Sequence, residues 1–256
     1  MLIVTLMALA LQEVPSPEPV SLHRTSQIAW DSEQLGGERI LYLSVPILPY
    51  PDGEVLPLLI VADADVMFGM ASETVRLMSF EQSAPAMMVA GISYGSLENW
   101  ISMRRTDYHP QDGAPGLEEF TAAVLAEAVP LIRANAPAEL GPIYIYGHSS
   151  AALVALEAAQ YPEVTGVIAS SVSLEEEPEW AASLAQRYRI SPPDAEIFMA
   201  VGSEETATRE AITHFLEASG LDSRIAPVIV EGGTHMQVVP GVYAEGVRAL
   251  MAGASD

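Results

Sequence analysis

The chain has 256 residues, half of them hydrophobic, which is enough to bury the core of one α/β domain and excludes a disordered or a small disulfide-stapled protein. Its 34 acidic and 11 basic residues leave a net charge of −23, which repels phosphate backbones and anionic lipid, so nucleic acid is not an expected partner. Cysteine is absent and every basic residue is an arginine, so thiol nucleophiles, disulfides, Cys-built zinc sites, Schiff bases and a P-loop lysine have no residue to use.

Met1 to Leu11 form an apolar run of signal-peptide length, with Ala8-Leu9-Ala10 supplying small residues where cleavage needs them. The run is too short to span a bilayer, and no later stretch reaches the ~18 apolar residues of a spanning helix, so no stable membrane insertion is expected. Pro15, Pro17 and Pro19 follow in a linker-like stretch. Residues 1–20 therefore read as a signal peptide and Pro-rich linker, and residues 21–256 as a single domain of a periplasmic or secreted protein. Because no Lys or Arg precedes the run, a buried first strand or a misassigned start codon is the alternative, with a cytoplasmic location.

From about residue 37 strand-like runs alternate with helical patterns, the signature of a mostly parallel sheet with helices on both faces. Arg39 to Val45 reads as a strand, Pro51-Asp52-Gly53 as a turn, and Leu56 to Ala62 as a fully buried strand. Ser72 to Ser79 reads as a short helix, Met87 to Gly91 as a strand, and Tyr94 to Pro115 as a long polar loop. A helix over Gly116 to Ala134 carries Leu117, Phe120, Val124 and Leu131 on one stripe, with Pro130 expected to kink it. The strand Ile143 to Tyr146 then runs straight into Gly147.

Gly147-His148-Ser149-Ser150-Ala151 fits the G-x-S-x-G pattern with alanine as the last small residue, followed by a helical stretch. A serine whose hydroxyl must stand clear of a sheet needs a tight strand-to-helix turn, and small residues on either side let the backbones approach. Ser149 is the candidate nucleophile. An acid and then a histidine should follow it in the chain.

The strand Asp194 to Val201 ends in Gly202-Ser203-Glu204-Glu205, at the sheet edge where α/β folds keep their sites. Glu205 is the first choice of acid and Glu204 the alternative, with Glu175-Glu176-Glu177 after the strand Val167 to Ser170 also open. The last strand, Pro227 to Val230, leads through Gly232-Gly233-Thr234 to His235, the candidate general base. Of the other histidines, His23 lies ahead of the first expected strand, His109 lies in the long loop, and His214 falls on a helical stretch. Five scattered histidines offer no metal-ligand spacing, so neither a metal nor another cofactor is expected.

Several segments together resemble the esterase family of the α/β-hydrolase superfamily that includes enterochelin (siderophore) esterases, with S-formylglutathione hydrolases and mycolyltransferases as relatives. They are Leu41 to Pro46, Leu59 to Asp65, Arg104 to Pro110, the GHSSA elbow, Ala169 to Ser173, Val201 to Glu205, and Gly233-Thr234-His235. The resemblance covers most of residues 35–250. It implies an α/β-hydrolase fold and a serine hydrolase that cleaves a small-molecule carboxylic ester through Ser149, His235 and Glu205. The backbone N–H groups of Asp65 and Ser150 would form the oxyanion hole. Arg104, Arg105 and His148 are the candidate substrate contacts, a structural salt bridge with Asp107 or the sheet edge being the alternative use of the arginines. Departures at Ser150, Ala151, Ala64 and the stretch Glu175 to Trp180 touch the pocket and leave the ester unidentified. A non-hydrolysing binding protein, an acyltransferase or a peptidase on the same fold are the alternatives, and the oligomeric state is not specified.

Overall fold

The computed structural model describes residues 20–110 and 116–251. The signal peptide and linker expected before Val20 lie outside the described residues.

Eight strands form one sheet in the order β1-β2-β4-β3-β5-β6-β7-β8. These are β1 (Thr25–Asp31), β2 (Glu38–Ser44), β3 (Leu56–Val61), β4 (Met88–Ser93), β5 (Leu140–His148), β6 (Val164–Ser170), β7 (Glu196–Gly202) and β8 (Val228–Val230). From β4 to β8 all neighbours run parallel, while β1 and β2 pair antiparallel with each other and β2 pairs antiparallel with β4. Strand β1 is an element the sequence pattern did not single out. It is an edge strand with only Trp30 buried, so its pattern reads as polar.

Every position of β3 and β4 is buried, because helices cover both faces of the sheet. In β3, Leu59 and Val61 face α1 (Ala64–Phe80) and α8 (Val239–Met251), whereas Leu58 and Ile60 face the larger core built from the other helices. Tyr146 of β5 packs edge-on against Tyr243 of α8 at 4.9 Å between ring centres.

Two helical expectations are corrected. Helix α1 begins at Ala64, not Ser72, because Met67, Phe68 and Ala71 continue its buried stripe back to the end of β3. The segment expected as a long loop contains α2 (Leu97–Tyr108). Ser96 caps it by accepting the Asn99 N–H at 3.1 Å, and Tyr108 is buried at its far end. Of its residues only Asp107 and Tyr108 are buried, so little hydrophobic period marks the helix. The expected helix over Gly116 to Ala134 is observed in three pieces: α3 (Leu117–Ala123), a π turn (Val124–Ala128) and α4 (Val129–Ala134). Pro130 cannot donate an i→i−4 bond, and the wider π turn just before it absorbs the missing bond.

The chain passes from β3 outward to β4 and then returns to the other side of β3 to form β5. The carboxyl ends of β3 and β5 thus flank the point where strand order reverses, the usual place for a crevice in such sheets. The helices after these strands, α1 and α5 (Ala151–Ala158), begin at that crevice.

Candidate active site

Ser149 stands between β5 and α5 with φ 60°, a left-handed conformation that a non-glycine residue adopts only under strain. Gly147 makes the corner possible, since a Cβ there would lie 2.0 Å from the Ala151 carbonyl oxygen. Asp63 after β3 and Ser171 after β6 are also left-handed, at φ 56° and 45°. Three parallel strands, β3, β5 and β6, therefore each end in a strained residue on the same edge, and such clustering marks functional rims.

His235 and Glu205 meet at this edge from separate loops, with His235 Nδ1 2.6 Å from Glu205 Oε1. The loops after β7 and β8 lie in close contact, because a Cβ on Gly202 would sit 2.2 Å from the Gly233 oxygen. Glu205 Oε2 accepts from the Gly202 N–H and the Ser171 hydroxyl, both at 2.8 Å. Burial opposes its charge, but the hydrogen bonds from His235, Gly202 and Ser171 prevail and hold the carboxyl below its ordinary range. Glu204 is exposed, and its backbone N–H donates to the Gly233 oxygen at 3.2 Å. Glu175 and Glu177 have other partners, Thr208 at 2.6 Å and His109 at 2.6 Å.

The His235 ring packs on the His148 ring with centres 4.5 Å apart, which brings it beside the residue preceding Ser149. The Ser149 hydroxyl itself is hydrogen-bonded to Ser173 Oγ at 3.2 Å. His148 is buried, with Nδ1 3.0 Å from Ser170 Oγ and Nε2 without a partner among the described residues. Burial, reinforced by the charge of His235, pushes its pKa down to about 4, so its ring is neutral at pH 7. His148 is thus a buried part of the elbow, packed between Ser170 and the His235 ring.

On the other side of the elbow, Asp65 lies in the first turn of α1, where backbone N–H groups have no intrahelical partner. Its carboxylate accepts from Ser93 Oγ at 2.8 Å and the Tyr94 N–H at 2.9 Å, tying α1 to the end of β4. Ser150 is the N-cap residue of α5 and is buried.

Arg104 is committed to Asp63, its Nε lying 2.9 Å from both carboxylate oxygens. Trp100 Nε1 donates to the same carboxylate at 2.7 Å, and the guanidinium lies 5.5 Å from the ring centres of Trp100 and Tyr108. A nitrogen of Arg104 also reaches Ser150 Oγ at 3.5 Å. Arg104 thus pairs with Asp63 rather than with Asp107. Asp107 is buried against Arg39, with contacts of 2.7 and 2.9 Å, and accepts from Tyr94 Oη at 2.9 Å. Arg105 is exposed.

Sequence reasoning did not single out Ser171 and Ser173 as individual contacts, nor Asp63, Trp100 or Arg39. The serine run was visible as a run, but spacing carries no sign of which hydroxyl turns toward which strand. Among the described residues no group of three or more His, Asp or Glu side chains is placed to hold a metal ion, and no helix is long and apolar enough to cross a membrane.

Strand order, the return of the chain past β3 to form β5, and a serine corner between β5 and its helix are those of an α/β-hydrolase-type fold. Within that class, a family model described as "Putative esterase" matches residues 32–242, and the chain belongs to this family of carboxylic ester hydrolases. Among solved structures, siderophore hydrolase EstB from Aspergillus nidulans superposes with a TM-score of 0.78 at 19% identity, covering 92% of this chain and 98% of that one. The BES protein from Bacillus cereus gives 0.75 at 20% identity over 93% and 99%. The enterobactin esterase FES from Shigella flexneri gives 0.73 at 18% identity over 94% of this chain but 61% of its own length. At these identities the likeness is one of fold. No curated protein matches the sequence.

Proposed function

We propose that this protein hydrolyses a small-molecule carboxylic ester by way of an acyl-enzyme on Ser149, with His235 as general base and Glu205 as its carboxylate partner. The observation that carries this reading is the 2.6 Å contact of Glu205 with His235 Nδ1. It engages one ring nitrogen, leaving Nε2 as the proton acceptor, while the ring rests beside the elbow.

In the first half-reaction Ser149 Oγ attacks the ester carbonyl as its proton passes to His235 Nε2. The oxyanion is held by the backbone N–H groups of Asp65 and Ser150, each at the start of a helix. The tetrahedral intermediate collapses as His235 returns the proton to the departing alkoxide. Water then attacks the acyl-enzyme, again giving its proton to His235, and the acid leaves while Ser149 is restored.

Siderophore-type esters are the substrate class we propose first, since two of the similar folds are described as a siderophore hydrolase and an enterobactin esterase. Local charge favours the less anionic members of that class, because Arg104 is matched by Asp63 and Arg39 by Asp107. Exposed apolar side chains on the flanking elements, Val66, Leu97, Ile101 and Met236, suit an aryl or aliphatic acyl group. Residues 1–20 as an export signal, giving a periplasmic or secreted enzyme, form part of the same proposal.

The test is turnover of p-nitrophenyl esters and of a ferric catecholate trilactone by wild type and Ser149→Ala. Loss of about 10⁶ in kcat is expected for the variant. Substantial residual turnover by Ser149→Ala would overturn the assignment, and failure on the trilactone with activity on simple esters would redirect the substrate class alone.

A further inference from the structure

We infer that the serine-rich corner after β6 is one positioning element for both the nucleophile and the acid, with Ser171 orienting the Glu205 carboxylate and Ser173 holding the Ser149 hydroxyl. The inference rests on the roles proposed above for Ser149 and Glu205 and names two residues those roles depend on.

Strand β6 lies between β5, which ends at the nucleophile, and β7, which leads to the acid. Its corner is stitched to both sides by backbone. The Ser149 N–H donates to the Ser170 oxygen at 2.9 Å, the Ser171 N–H donates to the Ala200 oxygen at 2.8 Å, and the Ser173 N–H returns to the Ser149 oxygen at 3.5 Å. Side chains repeat the pattern, Ser171 Oγ donating to Glu205 Oε2 at 2.8 Å and Ser173 Oγ meeting Ser149 Oγ at 3.2 Å. Ser170 Oγ contacts His148 Nδ1 at 3.0 Å, beneath the His235 ring. One segment of four residues thus reaches every side chain of the proposed constellation directly or through one neighbour.

Ser171 is the more telling of the two. It is fully buried and left-handed at φ 45°, where glycine would sit without strain. What glycine lacks is the hydroxyl. Together with the Gly202 N–H, that hydroxyl occupies Oε2, so the carboxylate plane is set and Oε1 alone faces His235. Ser173 is buried as well, and its contact limits the rotation of the Ser149 side chain. A hydroxyl oxygen has two lone pairs, so Ser149 can accept from Ser173 while giving its own proton to His235.

The experiment compares Ser171→Gly, Ser171→Ala, Ser173→Ala and Ser173→Thr with wild type, measuring kcat, KM, fluorophosphonate labelling rate and Tm. Loss of a hydrogen bond to a charged group should lower kcat about 10- to 100-fold in both Ser171 variants, with KM within about twofold. Ser171→Gly should melt no lower than Ser171→Ala, because it relieves the backbone strain. Ser173→Ala should lose about 3- to 10-fold in kcat, and Ser173→Thr should regain most of it. Labelling rates should fall in parallel. Wild-type kcat and labelling in Ser171→Gly and Ser173→Ala would overturn the inference, as would a change confined to Tm. Ser149→Ala assayed alongside separates the cases: its inactivity with unaffected serine-corner variants removes this inference alone, whereas its retained activity removes the proposed nucleophile.

Discussion

His235 Nδ1 and Glu205 Oε1 are 2.6 Å apart although they belong to different loops, and the carboxylate is far less exposed than the imidazole, 8% against 42%. The buried partner is anchored by two further donors, so orientation flows from the carboxylate to the ring. This asymmetry is what an orienting acid requires, and it separates Glu205 from its exposed neighbour Glu204.

Glu205→Ala should therefore lower kcat by about 10⁴, while Glu204→Ala stays within a few-fold of wild type. Steady-state kinetics on a p-nitrophenyl ester decide between them. Equal losses would mean that the loop as a whole, rather than the one carboxylate, matters.

Gly147→Ala should cost about 3 kcal/mol of stability or more, since its methyl group would collide with the Ala151 carbonyl and the helix start cannot retreat without moving Ser149. Urea unfolding measures this. A variant as stable as wild type would show that the corner is more open than the contact distance implies.

Arg104→Gln removes the partner of a buried carboxylate. Burial already raises the pKa of Asp63 against the influence of Arg104, and the substitution raises it further. With Arg104 21% exposed, the cost at pH 7 should be about 3 kcal/mol, the low end for breaking a buried pair. A raised carboxyl binds its proton more readily in the folded state, so the penalty is largest at high pH and shrinks as pH falls. Denaturation at pH 7 and pH 5 tests the sign, and a penalty growing toward pH 5 would contradict it.

His148 supplies an acid-sensitivity prediction. Its folded pKa of about 4 lies below the ordinary histidine value of 6.5, so between those values the unfolded chain binds the extra proton. Its contribution is fully present above pH 6.5 and is lost as pH falls toward 4. Between pH 7 and pH 5 that amounts to about 2 kcal/mol of stability, absent from His148→Gln. The variant's stability should therefore depend less on pH over this range, as followed by urea midpoints.

Much of the candidate site was legible before any coordinates because its parts sit at the ends of strands, and strand ends show in sequence as apolar runs stopping at Gly, Ser or Glu. Ser149, His235 and Glu205 were reached in that way. Charge alone marks Arg104 in the sequence, and its partner is distant: Asp107 is its near neighbour in the chain, yet Arg104 pairs with Asp63 after β3 and Asp107 pairs with Arg39 of β2. Helix α2 leaves little hydrophobic period to read, because only Asp107 and Tyr108 of its residues are buried.

The sequence by itself determined the alternation of strands and helices, the serine corner and the chain order of Ser149, Glu205 and His235, since these follow from local backbone chemistry and periodicity. Only the tertiary structure decided which carboxylate meets His235, which hydroxyls hold Ser149 and Glu205, and where each arginine's charge is matched. Those choices depend on side-chain contacts between β3, β5, β6, β7 and β8, whose residues are far apart along the chain and become neighbours only when the sheet closes over its core.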